Sequence, residues 1–217
     1  VIGPVGLKTQ HRLRDGSRES LTFMPTICAN GTVSLRPTLI FRGSRFQHKW
    51  AEHNSLDCAI AISPKGSIDD ELAHQWMTRF ELATRPRDPS EWRALYLDSH
   101  TCHISLWMID FAEQHRIEMI GYVPHSTQWL QGLDVVLFGA FKEKLMVARN
   151  DWERAYDCFD KIALLEILKG VFEASFTRDN ILAAFRSTGI SPFNPSVIPS
   201  RATAASEETS YGAIFPL

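Results

Sequence analysis

The chain has 217 residues, of which 44% are hydrophobic, and its formal net charge is −2 with the histidines neutral. This length suits one domain of ordinary size, and the apolar fraction excludes a chain that is disordered throughout. The charge argues against a strongly basic DNA-coating module, although it leaves room for a local basic groove. No uncharged apolar stretch approaches about 18 residues, so no membrane-spanning helix is predicted. The four cysteines form no CxxC pair, which indicates neither a disulfide framework nor a zinc ribbon.

The start of the chain predicts a polar lead-in followed by an antiparallel hairpin. Residues 1–20 are polar, rich in glycine and arginine, and typical of a loop. Two apolar runs, Leu21–Ala29 and Leu35–Phe41, flank Asn30-Gly31, a dipeptide typical of hairpin turns. Pro37 lies within the second run and predicts a sheet edge or a bulge there, because proline has no N–H to donate.

The middle of the chain alternates between strand and helix patterns. Cys58–Ile62 is a short apolar strand candidate, and residues 67–85 carry acidic residues in a first helical turn and then apolar residues at helical spacing. Ala94–Leu97, Ile104–His115 and Ile117–Val123 then read as strand, helix and strand. Such a βαβ unit requires its two strands to be parallel.

Helices are predicted over the remainder of the chain, up to a tail rich in Ser, Thr and Ala. Their expected ranges are Gln131–Val147, Ala155–Phe172 and Arg178–Ser187, with Thr177 as an N-cap and Gly189 as a C-cap. The order of elements predicts a three-layer α/β fold that begins antiparallel and ends parallel.

Two aspartates occupy positions where ligands gather in open α/β sheets, at the carboxyl ends of strands. Asp98 directly follows the strand Ala94–Leu97, and Asp134 lies near the start of the helix that follows the next strand. Adjacent parallel strands would bring both carboxylates to one hard cation such as Mg²⁺. Each aspartate also has a purely structural interpretation, as a helix cap or as a partner of the helix dipole.

Three histidines, His100, His103 and His125, lie in the same two loops. Their expected role is hydrogen bonding or proton transfer beside a metal-bound phosphate. A zinc site around Cys102 is disfavoured, because the sequence offers no second close pair of ligands. The chain has no GxxxxGK[ST], GxGxxG or GxSxG motif, which disfavours nucleotide-cofactor enzymes and serine hydrolases.

Around both aspartates the sequence resembles the DDE superfamily endonucleases of the pogo, Tigger and jerky-like group, which are transposases and proteins derived from them. Residues 97–105, LDSHTCHIS, are similar to that family's "LDGHSSHxS" segment. Residues 122–138, YVPHSTQWLQGLDVVLF, are similar to its "LPPHTSHLLQPLDVGVF" segment. Similar segments at 30–43 and 176–195 extend the resemblance over residues 17–197.

The resemblance implies a ribonuclease-H-like α/β fold, with an antiparallel hairpin and parallel strands in a mixed sheet flanked by helices. It also implies three catalytic aspartates that hold two Mg²⁺ or Mn²⁺ ions for attack on a phosphodiester. Residue by residue, Asp98 matches the second of these acids and Asp134 the third. The resemblance suggests four supporting residues around them: His100, His103, His125 and Gln131.

The sequence departs from the family pattern in four respects. Nothing matches the family's first strand, which carries the first acid in a segment like "YNxDE", or its N-terminal helix-turn-helix. Gly132 replaces the usual proline, and Gln128 replaces the usual histidine. Because the chain begins with Val1, we expect an N-terminally truncated fragment or a decayed copy, inactive in strand cleavage as given. We expect a lead-in (1–20), a truncated catalytic core (21–147), a helical extension (148–197) and a flexible tail (198–217).

Two functions are compatible with these observations. One is a DDE endonuclease domain that binds nucleic acid and whose parent activity is two-metal DNA strand cleavage and transfer. The other is a non-enzymatic, transposon-derived protein that binds DNA or regulates. DNA is the expected partner, and nuclear localisation follows from the resemblance. No membrane or nucleotide cofactor is expected, and the oligomeric state stays open.

A phosphate-tracking face is one interpretation of six basic residues, and ordinary solvated surface charge is the other. The residues are Arg12, Arg14, Arg18, Arg42, Arg45 and Lys49.

Overall fold

The computed structural model describes residues 21–98, 105–122, 126–156 and 158–198, and the statements that follow concern those residues. Strands and helices alternate along them, and five strands form two sheets. The predicted mixed α/β fold is therefore confirmed.

The first sheet has three strands in the order β1-β2-β3. Strand β1 (Leu21–Met24) pairs antiparallel with β2 (Thr38–Arg42), which pairs parallel with β3 (Ala59–Ser63). The middle strand is buried along most of its length, since Leu39, Ile40 and Phe41 are at most 1% exposed. Apolar β-branched and aromatic side chains suit such a doubly covered position.

The antiparallel hairpin predicted from the two apolar runs around Asn30-Gly31 is confirmed, but its strands are shorter than the runs and its connection is longer than a two-residue turn. Strand β1 ends at Met24 because Pro25, which has no N–H, follows it. Asn30-Gly31 does turn the chain: Gly31 has a φ of +86° and Asn30 Oδ1 accepts a hydrogen bond from the Thr32 N–H. This turn lies within the connection between β1 and β2, beyond the end of their ladder.

The edge or bulge predicted from Pro37 is wrong. Strand β2 begins directly after the proline, at Thr38, and lies between β1 and β3. Because Pro37 lies before the strand, its missing N–H does not interrupt the hydrogen bonds of β2. Its carbonyl accepts a hydrogen bond from the Ala59 N–H at 2.9 Å and starts the pairing with β3.

The second sheet is the predicted βαβ unit. Strand β4 (Arg93–Leu97) pairs parallel with β5 (Ile117–Gly121), and helix α3 (Leu106–Gln114) connects them. Leu95 and Leu97 point into the core, while Ala94 and Tyr96 are exposed.

The remaining helices surround the two sheets. Within the described residues they are α1 (His48–Glu52), α2 (Asp70–Thr84), α4 (Thr127–Leu130), a π-helical turn (Leu133–Leu137), α5 (Phe138–Tyr156), α6 (Lys161–Ser175), α7 (Arg178–Ser187) and a 3₁₀ turn (Pro195–Val197).

The predicted helix starts and ends agree closely with the structure for α2, α3 and α7, and differ from it for α5 and α6. Asp69 caps α2 and Thr177 caps α7 through their side-chain oxygens, and Gly189, with a φ of +68°, follows the C-cap residue of α7. Helix α6 begins at Lys161 instead of Ala155, because α5 continues to Tyr156 and Asp160 provides the N-cap. Helix α5 runs through residue 147, and the division into a core and a helical extension stays a prediction.

Two hydrophobic cores divide the elements between them. The first joins β2 to helices α5, α6 and α7 and includes Phe41, Leu165 and Phe172. The second joins β4 and β5 to α2 and α3 and includes Met77 and Met108. The two cores centre on different sheets, although Met24 of β1 also packs against the second core.

A buried carboxylate ties the elements of the second core together. Glu81 on α2 is 3% exposed and accepts hydrogen bonds from Arg85 Nε at 2.8 Å and Nη2 at 2.7 Å. Arg93 of β4 approaches it to 3.8 Å, and His115 at the end of α3 to 3.5 Å. The Arg85 hydrogen bonds are the main cause that lowers the pKa of Glu81, against the opposing effect of burial, and nearby positive charges lower it further.

We predict that Glu81→Gln lowers the free energy of unfolding by about 1–3 kcal/mol at pH 7, because it leaves partly buried donors without their charged partner. A lowered pKa means that this stabilisation is complete above the ordinary value of 4.5 and is lost as the pH falls through the folded-state pKa. Urea unfolding at pH 7 and below pH 4 should therefore show a difference from the parent chain that shrinks in acid. The matched control is Glu71→Gln, an exposed glutamate on the same helix. An equal loss for both variants would contradict the prediction.

Candidate active site

Asp98 is the first residue beyond β4, and its position is set by the end of the β4–β5 ladder. The last rung of that ladder is the hydrogen bond from the Tyr122 N–H to the Leu97 carbonyl, at 3.0 Å. The rung places half-buried Asp98 beside Tyr122 at the carboxyl edge of the second sheet.

The interpretation of Asp98 as a helix cap is wrong. The N-cap of α3 is Ser105, whose Oγ accepts a hydrogen bond from the Met108 N–H at 3.3 Å. Asp98 lies seven residues before Ser105, so its carboxylate is not used to start that helix.

Asp134 lies in the first turn of the π-helical segment, on the surface. The Gln131 carbonyl accepts hydrogen bonds from the N–H groups of both Asp134 and Val135, each at 3.0 Å. Leu137, which is fully buried in the first core, anchors the other end of this segment. The wider π turn thus presents the carboxylate outward while its far end stays fixed, and such turns are frequent at functional sites.

Gly132, which stands where the resembling family has proline, packs directly against α7. A Cβ at this position would lie 3.1 Å from both the Cβ and the carbonyl oxygen of Ala184. The missing side chain allows the segment that carries Asp134 to rest closely on that helix.

The two aspartates lie close enough to influence each other's charge. Burial is the largest cause that raises the pKa of Asp134, the charge of Asp98 raises it further, and Lys142 opposes both. The pKa of Tyr122 is raised to about 12, first by burial and then by Tyr96 and the two carboxylates. The structure thus brings Asp98, Asp134 and Tyr122 into one region of negative potential.

A cleft of about 980 Å³ opens beside this region, and Asp98, Tyr122 and Gln131 line it. The side-chain oxygen Oε1 of Gln131 is buried and has no hydrogen-bond partner within the described residues. A buried acceptor without a donor is costly and calls for an explanation.

The other sequence-predicted residues are placed only in part. His100, His103 and His125 lie outside the described residues. Within the described residues, no group of three or more His, Cys, Asp or Glu side chains is arranged to hold a metal ion. Of the basic residues, Arg42, Arg45 and Lys49 are exposed, and Arg12, Arg14 and Arg18 fall outside the described part.

Sequence reasoning missed Tyr122 and Lys142. Tyr122 follows β5 just as Asp98 follows β4, so its position at the end of a parallel strand was an available signal. Lys142 lies two helical turns beyond Asp134, and its Nζ is 6.0 Å from the centroid of the Phe138 ring. Its nearness to Asp134 depends on how the π turn passes into α5, which no local pattern reports.

Comparison with known proteins identifies the family. The family described as DDE superfamily endonuclease matches residues 18–157, which is more than half of the chain. The two-sheet α/β arrangement is consistent with the ribonuclease-H-like fold of such a domain. No solved structure matches the chain.

One curated relative is a protein of Cochliobolus lunatus described as the MFS-type transporter clz9. It is 29% identical over 191 residues, which cover 85% of this chain but only 20% of that protein. Within the described residues, no helix of this chain is both long enough and apolar enough to cross a membrane.

We predict that Asp134→Asn raises the melting temperature of the metal-free chain by about 1–2 °C at pH 7, because it removes a partly desolvated charge and the repulsion that Asp98 adds to it. The raised pKa of Asp134 means that the parent chain loses stability as the pH rises through that pKa. The gain should therefore disappear in acid, where Asp134 is protonated. Thermal unfolding in a chelating buffer measures the effect, with exposed Asp151→Asn as the control. A lower melting temperature for Asp134→Asn at pH 7 would contradict the convergence of the two charges.

Proposed function

Because the chain belongs to the DDE superfamily endonuclease family, we propose that it is the core of a metal-dependent transposase nuclease that acts on DNA. The observation that carries the proposal is the convergence of Asp98 and Asp134 from two different elements of the fold. Within the family we place the chain in the pogo, Tigger and jerky-like group, because residues 97–105 and 122–138 are similar to that group's segments.

The donors at this site suit a hard divalent cation. Asp98 and Asp134 offer carboxylate oxygens, and Gln131 offers an amide oxygen that lacks a donor. Mg²⁺ and Mn²⁺ prefer such oxygen ligands, and a cation would also offset the repulsion between the two carboxylates. We assign Asp98 and Asp134 as the residues that hold the metal.

The metal, when bound, supplies Lewis-acid polarisation of the phosphodiester and activation of the attacking hydroxyl or water. The chain's own residues prepare the rest of the site. Tyr122, with a pKa raised to about 12, keeps its proton at neutral pH and remains a hydrogen-bond donor. Lys142 supplies positive charge beside Asp134, where a DNA phosphate would need it.

A non-enzymatic role in DNA binding or regulation is the second candidate. It is favoured by one observation: within the described residues, no third acidic or histidine side chain joins Asp98 and Asp134 in a metal-binding group. Two carboxylates fix two metal ions poorly, since a two-metal site needs ligands for ions about 4 Å apart. We propose that the chain as given cleaves DNA poorly and that the active protein works in the nucleus.

We predict that Mn²⁺ binds the chain and that Asp98→Ala and Asp134→Ala each weaken this binding about tenfold or more, because each variant removes a charged oxygen ligand. Since the metal competes with a proton whose affinity for Asp134 is raised, binding should also weaken as the pH falls toward that pKa. Isothermal titration with Mn²⁺ at pH 7.5 and pH 5.5 measures both effects. Asp151→Ala, a carboxylate exposed on α5, should bind as the parent does. Equal affinities in all four proteins would contradict the metal site and favour the second candidate.

We also predict that the chain binds duplex DNA with an affinity that falls as the salt concentration rises. Lys142→Ala should make the slope of log K against log[salt], where K is the DNA-binding constant, shallower by about 0.9, because one phosphate contact is lost. Lys144→Ala is the matched control, because this exposed lysine lies two residues further along the same helix. Fluorescence anisotropy with a labelled duplex at several salt concentrations supplies the slopes. A flat salt response of the parent chain would refute DNA binding, and equal slopes for the two variants would refute the role of Lys142.

A further inference from the structure

An exposed aromatic ring lies in the segment between β2 and α1. The side chain of Phe46 is 46% exposed. Its ring meets the rings of His48 and Trp50 at nearly right angles, with centroids 6.4 Å and 5.6 Å apart. No ring of the described residues stacks parallel to it. Phe46 can therefore stack with a flat ring that comes from outside the chain.

The residues around this ring carry positive charge that their neighbours do not neutralise. Arg42, Arg45 and Lys49 are exposed and lie within four positions of the ring in the sequence. None of the three forms an ion pair with another described residue, whereas two exposed arginines elsewhere are paired with aspartates. Glu52 is the only acidic residue in the stretch 42–52. The surface therefore keeps an excess of positive charge beside the ring.

The first hydrophobic core holds this segment in place. Trp50 is 2% exposed, and its ring centroid lies 4.8 Å from that of Phe41 in β2. Lys161 of α6 places its Nζ 5.4 Å from the centroids of both rings. Beyond α1, Ser55 Oγ donates a hydrogen bond of 2.6 Å to the Leu165 carbonyl. Because the segment is fixed on α6, a ligand that binds there orders little additional chain.

An exposed ring among unpaired cations suits an unpaired strand of nucleic acid. Each base of such a strand has a flat face that stacks on an aromatic side chain, and the backbone carries a series of negative phosphates. A duplex offers the phosphates, but its bases stay stacked on one another inside the helix. An acidic peptide offers negative charge without a series of flat rings. The combination of ring and charge therefore favours a single strand over both.

We propose that residues 42–50 form a platform for single-stranded DNA, on which one base stacks against Phe46 while Arg42, Arg45 and Lys49 contact the phosphates around it. None of these residues lines the cleft beside the candidate active site, so the platform is a separate contact surface. The inference rests on the proposed function for the choice of DNA as the partner. It deepens that function by adding an unpaired strand to the DNA that the chain recognises.

The test measures the binding of a short labelled oligothymidylate by fluorescence anisotropy, in a chelating buffer. We expect Phe46→Ala to weaken binding about tenfold, because one stacked base is lost. Phe46→Tyr keeps a flat ring and should bind within about twofold of the parent chain. Phe193→Ala is the matched control, because Phe193 is 84% exposed and has no basic residue within four positions. Equal binding by the parent chain and Phe46→Ala would overturn the proposal.

An oligonucleotide made of abasic sites separates base stacking from phosphate contacts. The parent chain should bind it about tenfold more weakly than oligothymidylate, whereas Phe46→Ala should bind the two equally. Arg45→Gln should make the slope of log K against log[salt] shallower by about 0.7 on either oligonucleotide, because one phosphate contact with a single strand is lost. If the parent chain binds both oligonucleotides equally, no base stacks on the platform and the proposal is wrong.

A duplex of the same length distinguishes failure of the platform from failure of the proposed function. Phe46→Ala should change duplex binding by less than about twofold, because paired bases do not reach the ring. Duplex binding without single-strand binding would refute the platform alone. The chelating buffer makes these results independent of the metal site, so a failure to bind Mn²⁺ leaves the expected outcomes unchanged.

Discussion

The parallel ladder between β4 and β5 is the constraint on which the candidate site depends. Its last rung, from the Tyr122 N–H to the Leu97 carbonyl, sets the point where the chain leaves the sheet and therefore the place of Asp98. The buried carboxylate of Glu81 holds the other end of the same unit, because it contacts both Arg93 at the start of β4 and His115 after α3. Both ends of the βαβ unit are thus fixed by polar contacts, and the apolar core lies between them.

The second aspartate depends on the other core. Leu137 buries one end of the π turn among helices α5 to α7, and Gly132 rests on Ala184 at the other end. Asp98 and Asp134 are therefore held by two separately packed bodies of side chains, and the site forms where these meet. Burial is the largest cause of the raised pKa of Asp134, and the nearby charge of Asp98 raises it further.

The same division explains the cleft. The two sheets centre on different cores, and within the described residues β1 and β4 are not paired with each other. The side chains of Trp76, Arg93 and Gln131, each with a buried polar atom that lacks a partner in the described part of the chain, line the cleft.

The sequence determined most of the local structure by itself. Apolar runs located the five strands of the described residues, and acidic first-turn residues and the Thr177 cap located helix starts, because these signals depend on a few neighbouring residues. The family segments also marked Asp98, Asp134 and Gln131, whereas the roles of these residues stay predictions. Local signals failed where contacts between distant residues set the structure. Asn30-Gly31 turns the chain outside the β1–β2 ladder, and α5 continues to Tyr156.

Only the tertiary structure decided the relations between distant elements. It showed that β2 is a central strand despite Pro37, that Ser105 and not Asp98 caps α3, and that Lys142 lies near Asp134. Each of these depends on how separate cores pack, and packing joins residues far apart in the chain that no short pattern relates. The sequence therefore marked the candidate site residues, and the folded chain determined which of them lie near one another.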